Sequence, residues 1–229
     1  MSDAVTVPEI RVTGGEPPAR QVLAALENAC AAAEDLGGAV PLVVRLGGKA
    51  RQSGFHEVDV HLVNKWERAL RRVEWLGAVT VAVVDGDCTG TALELLLCCD
   101  HRIASPRSVF GVPLSGTTPW PGMALHRLVH QTGLARARRL TVFGQRVDAH
   151  EAAAIGLVDE VVDDVAAALT GVLARCEGLA GSEAGVRRRL LLDATATGFD
   201  EALGAHLAAC DRTLRRERGQ APAEQLPEW

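Results

Sequence analysis

The sequence predicts an α/β chain that ends in a purely helical region. Three observations carry that reading. Short apolar, β-branched runs alternate with longer stretches of helical periodicity as far as Val162. From Asp164 onward the periodicity is helical, with Gly181 and Gly198 as stops. In the middle, Val81 to Asp100 joins a strand-like run to a leucine-rich, helix-like run through Asp85-Gly86-Asp87-Cys88-Thr89-Gly90. The rest of the chain is arranged around this strand–turn–helix.

Glu9-Ile10-Arg11-Val12-Thr13 alternates like a first strand. Pro17-Pro18 opens a helix in which Val22, Leu23, Leu26, Ala29, Cys30 and Ala33 recur at helical spacing, and Gly37-Gly38 stops it. Val40 to Leu46 is a second strand, broken by Gly47-Gly48. After the loop from Lys49 to Glu57, a helix carries Leu62, Val63, Trp66, Ala69, Leu70 and Val73 on one face. Its other face, with Lys65, Glu67, Arg68, Arg71, Arg72 and Glu74, reads as solvated. Beyond the central stretch, His101 to Ser105 and Val109 to Leu114 are short strands. The prolines of Pro119-Trp120-Pro121-Gly122 keep that loop out of a helix. Met123 to His130 and Leu134 to Phe143 are short helices. Asp148 caps a helix from Ala149 to Ile155 that Gly156 ends, and Leu157 to Val162 is the last strand. Ala202, Leu203, His206, Leu207 and Cys210 give the final helix an apolar face. The natural division is a core over residues 1–162 and a C-terminal helical region over 163–229, with oligomerisation and cover of the active site as its expected tasks.

At 229 residues, 48% hydrophobic and 23% charged, the chain can bury a large core. A net charge of −5 argues against a nucleic-acid partner. No apolar run approaches the ~20 residues of a membrane span. The start Met1-Ser2-Asp3-Ala4 resembles no leader peptide, so a cytoplasmic location is expected. Cys30, Cys88, Cys98, Cys99, Cys176 and Cys210 form no C-x-x-C pair and read as small core residues, so no metal site is expected. There is neither a P-loop nor a G-x-G-x-x-G after the first strand.

The chemistry points to Glu94. It lies among Leu93, Leu95, Leu96 and Leu97, where burial raises a carboxyl pKa towards the value a neutral-pH acid/base needs. The amides at the start of its helix can also face a substrate oxygen. A structural reading competes, because Thr91-Ala92-Leu93-Glu94 fits a capping box with Thr91 as N-cap and Glu94 reaching back to it.

Taken together, seven segments in order resemble the crotonase (enoyl-CoA hydratase/isomerase) superfamily. They are Val43-Val44-Arg45-Leu46-Gly47, Ser53-Gly54-Phe55, Val81 to Asp100, Phe110-Gly111-Val112-Pro113, Pro121-Gly122, Gly133 to Ala137, and Ala149-His150-Glu151-Ala152 to Gly156-Leu157-Val158. The resemblance covers roughly Val40 to Val162 and implies a crotonase-like spiral of ββα turns. It also implies an acyl-CoA thioester as substrate, no cofactor beyond that coenzyme A, and a trimer or hexamer.

Carried over residue by residue, the resemblance makes Glu94 the catalytic carboxylate and the backbone amides of Phe55 and Thr91 the oxyanion donors. Arg45, Lys49, Arg51, Gly54, Gly90, Leu114 and Trp120 become candidates for contact with the acyl-CoA. The chain departs from the pattern in three places. Thr91-Ala92 replaces two glycines, Asp85-Gly86 replaces Asn-Gly, and Leu114 stands where the family has its second catalytic glutamate. A single carboxylate suits dehydration or isomerisation through an enolate better than addition of water. It also leaves open a catalytically weak scaffold that supports a synthase. His56, Asp87 and Cys88 read as lining or structural residues, and His126 and His130 as packing or surface residues. The chain is short, rich in Ala, Arg and Gly, and has only Lys49 and Lys65 as lysines. In this it is similar to the small hydratase-like partners of the polyketide synthase that makes 3,5-dihydroxyphenylacetyl-CoA, which implies a role in antibiotic biosynthesis beside such a synthase.

Overall fold

Parallel pairing organises the molecule. The computed structural model describes residues 6–14, 17–49, 58–112, 114–115, 118–177 and 183–219, with backbone alone at 114–115 and 118–119. In chain order the elements are β1 (Glu9–Thr13), α1 (Arg20–Asp35), β2 (Leu42–Gly48), α2 (Val60–Trp75), β3 (Thr80–Thr89), α3 (Thr91–Leu96), β4 (His101–Ala104), β5 (Val109–Gly111), β6 (Leu114–Ser115) and β7 (Thr118–Pro119). Then follow α4 (Ala124–Thr132), α5 (Leu134–Val142), β8 (Val147–Asp148), α6 (Ala149–Ala154), β9 (Glu160–Val161), α7 (Val165–Cys176), α8 (Glu183–Asp193) and α9 (Phe199–Glu217). Strands β1-β2-β3-β4-β9 lie side by side, all parallel, with Val43 opposite Val81 and Gly48 opposite Gly86. The short pair β6 and β7 stands apart.

Both faces of this sheet are covered, as a parallel sheet requires. One face (Ile10, Val12, Val44, Leu46, Ala82 and Val84) packs with Leu26 and Cys30 of α1, Trp66 and Leu70 of α2, and Leu93 and Leu96 of α3. On the other, Val43, Val81, Val83 and Ile103 meet Leu169, Val172 and Cys176 of α7. Each large side chain removed from water here contributes roughly 1.5–3 kcal/mol.

The central strand differs from the sequence expectation. Asp85-Gly86-Asp87-Cys88 is not a turn, because β3 runs unbroken from Thr80 to Thr89. Its first half pairs with β2 and β4, and its last three residues, Asp87–Thr89, leave them to pair with β5. The handover occurs at Gly86, where φ is 106° and a Cβ would lie 2.9 Å from the backbone of Gly48. Only glycine permits both the backbone angle and the approach. Cys88 is therefore a fully buried strand residue whose thiol burial pushes far up.

The helix after it is also shorter than the leucine run suggests. It comprises only Thr91–Leu96, all buried. By contrast, Asp148 caps α6 as expected, accepting from the Glu151 amide at 2.8 Å, and Gly156 follows at φ 76°. Asp164 caps α7 in the same way.

The chain forms two compact units, Met1–Gly185 and Val186–Trp229. Within the first unit, α7 packs on the sheet. Within the second unit, α9 carries Asp200 and Glu201 in its first turn and Arg215 and Arg216 in its last, which complements the helix dipole. None of its residues is buried, and Phe199, Leu203, Leu207 and Leu214 are exposed. Cys210 is exposed too, unlike the other cysteines, which are buried as core residues. No helix among the described residues is long and apolar enough to cross a membrane.

Candidate active site around Glu94

The end of β3 delivers Glu94 into the core. Gly90 adopts φ 61° and ψ −136°, turning the chain from strand to helix within one residue, and its carbonyl accepts from the Glu94 amide at 3.1 Å. That backbone lies in a region open to glycine and costly for other residues. Gly90, not Thr91, is the N-cap, and no side chain caps the helix. The capping-box reading of Glu94 therefore fails. Its carboxylate points elsewhere.

Glu94 is 2% exposed. Oε2 accepts from the indole Nε1 of Trp66 at 2.6 Å. Oε1 faces Gly122, where an added Cβ would come within 2.7 Å of it and 2.8 Å of the Trp120 indole nitrogen. The absence of a side chain at 122 is what lets the Pro121-Gly122 loop close on the carboxylate.

Burial raises the Glu94 pKa to about 7, the Trp66 hydrogen bond opposes the rise, nearby Glu67 adds to it and Arg127 opposes it. A carboxyl poised there can accept and return a proton near neutrality. Such a value in a buried carboxyl is a reason to look for function, since structural carboxylates are usually held ionised by partners.

Behind the site lies an ion network. Arg127 on α4 donates to Glu74 at 2.7 Å and to Glu67 at 2.9 Å. Burial works against the guanidinium's charge, and the carboxylates of Glu74 and Glu67 more than restore it. Cys98 donates to the Glu94 carbonyl at 3.3 Å. Glu74, read from sequence as part of a solvated face, is 5% exposed. Its partner lies 53 residues away on another helix, so helical periodicity alone could not reveal it. Trp66 was legible only as core; its single signal was an indole N–H on a buried face, which needs an acceptor.

The structure brings Thr91, Glu94, Trp120 and Gly122 to one place. Thr91 is the first residue of α3, one turn from Glu94, and is 1% exposed. Gly90 precedes it. Leu114 falls in β6, where backbone alone is described, paired with Pro119 on the strand leading to Trp120. Arg51, Gly54, Phe55 and His56 lie outside the described residues. Lys49 is exposed at the end of β2.

Arg45 is not brought to Glu94. It shares the α7 face of the sheet with Val43 and Val83, and donates to Glu9 at 2.8 Å. There it borders a cavity of about 320 Å³ with Arg11, Thr13, Gly47, Asp85 and Val165. Arg107 lowers the pKa of Asp85 from its ordinary value, with Ser105 adding a hydrogen bond at 2.8 Å. Asp87 pairs with Arg146. His126 and His130 are exposed, with Nε2 atoms 3.2 Å apart. Among the described residues no cluster of three or more His, Cys, Asp or Glu could hold a metal ion.

The profile of the family described as "Enoyl-CoA hydratase/isomerase" matches residues 47–218. An Amycolatopsis orientalis protein named "Enoyl-CoA-hydratase" is 42% identical over 208 residues, covering 91% of this chain and 96% of that protein. The "Short-chain-enoyl-CoA hydratase" of Clostridium acetobutylicum is 37% identical over 97 residues, which are 42% of this chain and 37% of that protein. The fold recurs in the enoyl-CoA hydratase/isomerase structure from Cupriavidus metallidurans, with TM-score 0.79, 22% identity and coverage of 99% of this chain and 96% of that one. The α/β architecture of parallel sheet and C-terminal helices is thus that of the crotonase fold, and the chain belongs to the enoyl-CoA hydratase/isomerase family, whose members process acyl-CoA thioesters.

Proposed function

We propose that this protein is an acyl-CoA lyase or isomerase that works through a thioester enolate, with Glu94 as its single acid/base. The observation that carries the reading is the buried carboxyl with a pKa of about 7, anchored on Oε2 and facing the Gly122 loop through Oε1. Glu94 takes a proton from the carbon next to the thioester and returns it at another carbon, or assists loss of a leaving group. The amides of Phe55 and Thr91 hold the enolate oxygen, as the family resemblance assigns them. Gly90 sets the Thr91 amide, and the family resemblance offers Gly54, Leu114, Trp120, Lys49 and Arg51 as candidates for contact with the acyl-CoA. Arg45, paired with Glu9, is the weakest of these candidates.

Leu114 offers no acceptor for a second catalytic proton, which favours dehydration or isomerisation over hydration. It equally favours a second reading, a catalytically weak partner of a synthase. The substrate we favour is a polyketide-type CoA thioester of secondary metabolism, because formation of an aromatic product would supply the driving force that one base lacks. The chemistry asks for no cofactor beyond the coenzyme A of the substrate. We place the protein in the cytoplasm as a homo-oligomer, trimer or hexamer.

The test is incubation with a panel of CoA thioesters in D₂O, read by mass spectrometry. Wild type should exchange the α-proton of at least one thioester, and Glu94→Gln should lose at least about 100-fold of that rate. Crotonyl-CoA should be hydrated poorly. No exchange with any thioester favours the scaffold reading, and brisk hydration of crotonyl-CoA would rule out the single-base reading.

A further inference from the structure

We propose that Trp66 is a positioning residue, holding Oε2 of Glu94 so that Oε1 is the atom that exchanges a proton with the substrate. The inference rests on the acyl-CoA reading above and deepens it.

An indole N–H can only donate. At 2.6 Å from Oε2 it stabilises that oxygen as an acceptor and leaves it a poor place for a proton. The proton taken up by Glu94 therefore resides on Oε1, the oxygen that faces Gly122. The anchor is rigid. Trp66 is 1% exposed and packs in the core with Leu62, Leu70 and Val73 on the buried side of α2. Two further charged groups act on Glu94, Glu67 on α2 and Arg127 on α4, and Arg127 is itself bound by Glu67 and Glu74. Neither reaches Glu94 through a hydrogen bond given by this structure, so the fixed direction of the carboxylate comes from Trp66. A base held this way presents one lone-pair direction to the substrate without a search over rotamers.

Two measurements test this. Trp66→Phe keeps the aromatic ring and removes the donor. It should lower kcat for the thioester that wild type exchanges by about tenfold and leave KM within about threefold. The acidic limb of the kcat–pH profile should move up by about one pH unit, the scale of one hydrogen bond to a charged group. In native protein labelled with ¹⁵N-tryptophan, the Trp66 indole resonance should titrate with a midpoint at about 7, and the titration should vanish in Glu94→Gln. This second readout needs neither substrate nor a folded Trp66 variant. An indole that ignores pH between 5 and 9, or a Trp66→Phe profile superimposable on wild type, overturns the proposal. A wild type that exchanges no thioester sinks the acyl-CoA reading instead, while the indole titration still decides whether Oε2 is anchored.

Discussion

Glu94 is a residue that folding tolerates rather than rewards. Its ordinary pKa is 4.5 and its value in the fold is about 7. The folded state therefore binds the extra proton between those limits, and stability falls as pH rises through that window. The penalty is absent below pH 4.5 and complete above pH 7, on the order of 3 kcal/mol at most. Glu94→Gln, which keeps the volume and can still accept from Trp66, should match wild type in urea denaturation near pH 4.5 and exceed it at pH 8. An equal gap at both pH values would mean that Glu94 ionises normally. The sequence made this residue legible as a carboxylate among leucines, but only the fold, with Gly90 as N-cap, removed the competing capping role. The sequence did not reveal Trp66 or Glu74. A tryptophan on an apolar helix face reads as packing, and a glutamate on the polar face as solvated, until Arg127 arrives from α4.

At the scale of elements, the decisive feature is the unbroken strand β3. Glycine in an apolar run reads as a turn, and the sequence reading placed one at Gly86. Tertiary pairing overrides that signal, since β5 takes over as partner where β2 and β4 end. The local positive φ is real, yet it kinks a strand instead of ending it. Gly86→Ala should destabilise the fold by about 2 kcal/mol or more, because the backbone angle is unfavourable and the Cβ meets Gly48 at 2.9 Å. The check is a chemical denaturation curve of the variant; a change under about 0.5 kcal/mol would show that the strand does not need the kink. Helix ends were easier to read. Asp148 and Gly156 act through their own backbone neighbourhood, so local rules found them.

For the whole molecule, the alternation of strand and helix patterns made the α/β class legible, whereas periodicity cannot say that α7 packs on the sheet. It did identify the apolar stripe of α9, and Leu203 and Leu207 are exposed in the single chain. Light scattering at micromolar concentration should give the mass of a trimer or hexamer, and a monomer would refute the assembly proposed above. The full burial of α3 has a further consequence. The Glu94 amide is bonded to the Gly90 carbonyl within a buried helix, so its deuterium uptake in the free protein should be slow beside that of exposed α9. The base does not sit on a breathing edge of the protein. It sits on a helix packed into the core on every residue.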